Sequence, residues 1–133
     1  FFNGLAYFWD VTDPSNITKI DSIKVDARIV NDVKVSKDGK ICVITREGAS
    51  NRKNGFIVLD ISNPSDVQIL SEYTDGLTGG VHNVFIDNNH VYALNAFGNP
   101  AKFEVVNIED PKNIIRNTTV AEITDKKPNA QRP

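Results

Sequence analysis

Short apolar runs separated by turn chemistry fill the chain, and nowhere does an apolar pattern hold a 3.6-residue period over ten residues. That pattern predicts an all-β protein. Val33, Val35, Ile41 and Val43 flank the stretch SKDGK, where Asp38 and Gly39 suit the positive φ values of a tight hairpin. A second hairpin is expected from Val84-Phe85-Ile86, the turn DNNH, and Val91 to Leu94, with Asn88 and Asn89 tolerating the left-handed conformation. Runs such as ICVI and VYAL are apolar at successive positions. Strands of that kind are expected to be covered on both faces.

A longer period overlies this one. FIVLDISNP, Phe56 to Pro64, has relatives in YFWDVTDP, Tyr7 to Pro14, and EVVNIEDP, Glu104 to Pro111, so the closing prolines at 14, 64 and 111 are spaced by 50 and 47 residues. Such spacing suits one supersecondary unit per repeat. Each proline is followed by another apolar stretch, Ile17 to Val25, Val67 to Tyr73 and Ile114 to Ile123. With strands of a unit lettered A to D, the chain reads C-D, A-B-C-D, A-B-C-D. The units run 1–26 (half), 27–75 and 76–125, and a polar tail or linker follows at 126–133. The aspartate of the motif (Asp10, Asp60, with Asn107 in the third copy) offers a short side chain to a nearby turn amide, and the proline fixes φ where no ladder donor is needed.

GFIVLDISNP, from Gly55, resembles the LVIVD-repeat family of β-propellers, whose repeats carry GL-x-[VI]-[VI]-D-[VI]-S-[DN]-P; cell-surface "choice-of-anchor" proteins contain similar repeats. The resemblance implies a segment of four-stranded antiparallel propeller blades, about two and a half of them. It also implies a secreted or surface-exposed protein of bacteria or archaea, without an assigned activity. In the first copy Gly4 lies ten residues before its proline instead of nine, which suggests a β-bulge in that strand. Propellers typically close with 4 to 8 blades. The segment is therefore expected to be part of a larger propeller, completed by remaining blades or by self-association.

Composition narrows the partners. A net charge of -2 and a pI near 5.6 give no overall field favouring nucleic acid, and the longest apolar runs, no more than five residues, are far short of a membrane span. The single Cys42 has no partner for a disulfide or a zinc site, and its apolar strand predicts a protonated, inert thiol. No nucleophile elbow, calcium loop or other catalytic, metal or cofactor constellation is expected.

The loops expected to gather on one face are Asp26 to Val30, Arg46 to Asn54, Asp75 to Val81 and Ala96 to Ala101. On them the candidate ligand-binding residues are His82 and Asn83, after Gly79-Gly80, together with Arg28 and Arg46, which with Arg52 and Lys53 could form a basic spot. His82 and His90 are expected at opposite ends of a strand, too far apart to share one ion. The reading is a non-catalytic scaffold contacting protein or glycan. The alternative is part of a propeller hydrolase or lyase, with a channel-face active site completed by other blades.

Overall fold

The computed structural model describes residues 4–95 and 102–120, so the expected loop at 96–101 and the tail at 126–133 lie outside the described residues. The described chain is all β: β1 (Leu5–Asp10), β2 (Thr18–Lys24), β3 (Val33–Val35), β4 (Ile41–Arg46), β5 (Gly55–Asp60), β6 (Gln68–Tyr73), β7 (Asn83–Asp87), β8 (His90–Asn95), β9 (Lys102–Asn107) and β10 (Ile115–Val120). They form three antiparallel sheets, in the orders β1-β2, β3-β4-β5-β6 and β7-β8-β9-β10. Each is an open meander, and the two, four and four strands follow the order expected from the repeat.

The hairpins form for local reasons. Asn88 and Asn89 both take positive φ, 43° and 61°, which matches the right-handed twist of β7 and β8. At the other hairpin only Gly39 is left-handed, with φ 72°. Asp38 acts there through its side chain, accepting the Lys40 amide at 3.1 Å and the Ser36 hydroxyl at 2.6 Å.

The middle sheet is covered on both faces. Cys42, Ile44, Ile57 and Leu59 point to one side, where Ala6, Phe8 and Ile23 of the first sheet pack on them. Val43, Phe56 and Val58 point to the other, against Val84, Val91, Ala93 and Val106 of the third sheet. Adjacent residues on β4 and β5 thus serve opposite interfaces, as the two-residue pleat requires. Close backbone approach between the second and third sheets involves β3 and β4 against β7.

One irregularity recurs in all three sheets. Phe8 opposes Asp21 and Trp9 opposes Lys19, leaving Ile20 as an extra residue. Leu70 is extra in the same way between the pairs Val58–Ser71 and Leu59–Ile69, and Asn117 between Val105–Thr118 and Val106–Arg116. The bulge therefore belongs to the last strand of every unit. The bulge expected in the first copy of the motif is corrected accordingly. Leu5 through Phe8 pair without interruption, and Gly4 stands outside the strand, its carbonyl accepting the Val25 amide at 2.6 Å.

Candidate functional site

The recurring carboxylates are turn caps. Asp10 Oδ1 accepts the Thr12 amide at 2.9 Å, Asp60 Oδ1 the Ser62 amide at 2.9 Å, and Asn107 Oδ1 the Glu109 amide at 2.7 Å. Three residues further on the device repeats. Asp13, Asn63 and Asp110 accept the amides of Ser15, Ser65 and Lys112 at 2.9, 3.2 and 3.1 Å. Hydrogen bonds from Thr12 and Ser62 hold the Asp10 and Asp60 carboxyls below the usual carboxylate range, side chain first and amide second. Asn107 fills the same place uncharged, so the position needs an acceptor oxygen and no charge.

Three of the expected loops meet. Glu47 in the loop after β4 exchanges backbone hydrogen bonds with Ile29, at 2.9 and 3.1 Å, and Asp26 accepts the Ser50 hydroxyl at 2.7 Å. Asn54 Nδ2 donates to the Thr78 carbonyl at 2.9 Å, which ties the same loop to the segment before β7. Gly80, with φ 112°, lies against the Glu47 carboxylate, and a Cβ there would come 3.0 Å from Oε1. Leu77, fully buried, anchors that segment in the core between the second and third sheets.

The candidates from sequence part company here. Arg28 is exposed on the loop cluster, its side chain lying over Gly48. Arg46 is not on the surface. It is the last residue of β4, 1% exposed, with Nη1 2.8 Å from Glu72 Oε2 and Nη2 donating to the Lys53 carbonyl at 2.9 Å. Its strand position turns the guanidinium inward, so of the expected basic residues only Arg28, Arg52 and Lys53 are exposed.

His82 and Asn83 are exposed at the start of β7; the His82 backbone amide donates to the Leu94 carbonyl at 3.2 Å. His90 opposes Asp87 at the far end of β7, and its Nδ1 sits 2.8 Å from the Asn88 carbonyl. The two histidines are therefore a strand's length apart. Among the described residues no group of three or more His, Cys, Asp or Glu side chains could hold a metal ion. Cys42 is buried on β4, and that burial pushes its thiol up to about 11.

The sequence reading missed the polar links between sheets. Asp21 Oδ2 accepts the Val67 amide at 2.7 Å, and Ser71 Oγ donates to the Pro111 carbonyl at 2.5 Å. Phe8 and Val58, which oppose Asp21 and Ser71, hold equivalent places in the motif. So the same position of the last strand reaches the next unit's turn in both interfaces. Asp32 Oδ2 accepts the Val84 amide at 3.1 Å while its Oδ1 engages Lys34, and Asn31 Nδ2 donates to the Val81 carbonyl at 3.3 Å. Desolvation pushes the Asp32 carboxyl up, but the Lys34 ammonium and the amides outweigh it and leave its pKa lowered. Only the placement of Asn31-Asp32 opposite His82-Asn83 in the repeat hinted at these contacts.

Compared with known protein families, curated proteins and solved structures, the chain matches none.

Proposed function

We propose that the chain is a segment of a β-propeller serving as a non-catalytic scaffold of a secreted or surface protein, with the loop cluster around Arg28 as its contact surface. The observation that carries the architectural part is the threefold recurrence of one turn and one bulge in sheets stacked face to face. The close approach of β3 and β4 to β7 supports a radial arrangement, in which the first strands of each unit lie nearest the axis. The secreted or surface location rests on the resemblance of GFIVLDISNP to LVIVD repeats. Among the described residues no helix is long and apolar enough to cross a membrane.

The scaffold reading is supported by what the recurring carboxylates do. Asp10 and Asp60 close turns, and Asn107 shows that the position works without ionisation. The loop cluster is cross-braced by Asp26, Glu47 and Asn54, so it presents Arg28, Arg52 and Lys53 on a supported surface. Contacts with protein or glycan are the proposed use. The test is binding of the chain to arrays of acidic glycans and acidic peptides, repeated with Arg28→Ala. The expected result is a bound class whose signal falls in the variant at unchanged melting temperature; signal that persists in Arg28→Ala would remove the loop cluster as the contact surface.

A further inference from the structure

His82 and Asn83 hold, in the third sheet, the places that Asn31 and Asp32 hold in the second. The register shows it: Val33 opposes Ile44, which opposes Ile57, and Val84 opposes Ala93, which opposes Glu104. Asn31 donates to the Val81 carbonyl in the loop that leads into the following sheet, and Asp32 accepts the Val84 amide of that sheet's first strand. Asn83 offers a carboxamide oxygen where Asp32 offers a carboxylate oxygen, and His82 offers a ring N–H where Asn31 offers an amide N–H. Yet His82 and Asn83 are exposed, and neither makes a side-chain hydrogen bond among the described residues.

The sheet face beside them is unfinished in the same sense. Asn83, Phe85, Tyr92, Leu94 and Phe103 line a hollow of about 400 Å³, and Phe85 is 59% exposed. Tyr92 stands 6.3 Å from Phe85 and 6.1 Å from Phe103, ring centre to ring centre. By register Tyr92 matches Val43 and Phe103 matches Phe56, both fully buried in the middle sheet against the third. Thr118, opposite Val105, occupies the place from which Asp21 and Ser71 reach the next unit's turn.

We propose that His82 and Asn83 are the clamp for a fourth sheet and not a small-ligand site. The occupant is a complete four-stranded sheet of this repeat joined in tandem, presenting a loop carbonyl to His82 and a strand N–H to Asn83 while covering Tyr92 and Phe103. A second copy of the chain can touch this face only weakly and cannot complete the clamp, because the open apolar face it offers, with Trp9 52% exposed, belongs to the two-stranded β1-β2 sheet, which has no strand to meet His82 and Asn83. The inference rests on the propeller reading and adds to it the residues that hold consecutive sheets together.

The test appends a second copy of residues 76–125 after residue 125 and follows amide exchange by NMR in the parent and extended chains. In the parent, Asp32→Ala is expected to lower protection of the Val84 amide by up to about tenfold, the worth of one such bond, whereas Asn83→Ala changes nothing. In the extended chain Tyr92 and Phe103 become buried, and Asn83→Ala lowers protection of the appended counterpart of Val84 by a similar factor. Burial of the aromatic face with His82→Ala and Asn83→Ala both silent would overturn the clamp and leave the propeller reading standing. An appended segment that leaves Tyr92 and Phe103 open would overturn both.

Discussion

Truncating two neighbours on β5 asks directly whether the middle sheet is covered on both sides. Val58 faces the third sheet and Leu59 the first, and both side chains are fully buried. Val58→Ala removes two buried carbons, about 1.6 kcal/mol at roughly 0.8 kcal/mol each, and Leu59→Ala removes three, about 2.4 kcal/mol. Residual cavities raise these figures, and Leu→Ala changes in packed cores reach about 5 kcal/mol. For 133 residues the unfolding entropy converts each kcal/mol into about 4 °C. The melting temperature should therefore fall by about 6 °C or more in Val58→Ala and about 9 °C or more in Leu59→Ala. Denaturant titration of dilute protein, with a calorimetric scan as a second probe, measures both. A sheet with one wet face would tolerate one of the two changes. If either variant lies within about 0.5 kcal/mol of the parent, the two-sided burial is wrong.

Four further outcomes follow from the same geometry. Asp60→Asn should match the parent in denaturant titration, because Asn107 makes the equivalent bond, while Asp60→Ala should lower the midpoint. Because the folded-state pKa values of Asp10, Asp13 and Asp60 are lowered, their contribution is complete above the ordinary carboxylate value and is lost as pH falls through the folded one. Replacing all three by Asn should therefore flatten the acid limb of a stability–pH curve. Gly55→Ala should prevent normal folding, visible as loss of the cooperative melt. The new Cβ would lie 2.0 Å from the Tyr73 carbonyl oxygen at φ 141°, whereas Gly39→Ala, with open space around it, should cost only about 1 kcal/mol. Cys42, with its thiol pushed up to about 11 by burial, should resist thiol reagents at neutral pH and react at a rate set by unfolding.

Much of the fold was legible because its signals are local. The turn acceptors, the Asn88-Asn89 hairpin and the doubly apolar ICVI run each state their structure within a few residues. The bulge was misplaced because a displaced Gly4 is visible in sequence, while the extra residue of each last strand shows only once the strands are paired. Arg46 was assigned to the loops since arginine seldom ends a buried strand; its partner Glu72 lies 26 residues away and leaves no nearby mark. The inter-sheet bonds of Asp21, Asp32 and Ser71 join residues 40 to 52 positions apart. No local pattern encodes such pairs, and only the comparison of repeat with repeat assigns them a common role.

Sedimentation velocity over a concentration series tests the central claim, a stack of sheets with an apolar face open at each end. Trp9 on the first sheet and Phe85 on the third are 52% and 59% exposed, and such faces drive head-to-tail contacts that do not close. The isolated chain should associate weakly and without closure, and the Trp9→Asp, Phe85→Asp double variant should abolish that association. A parent chain that stays monomeric at every concentration and melts cooperatively would contradict it.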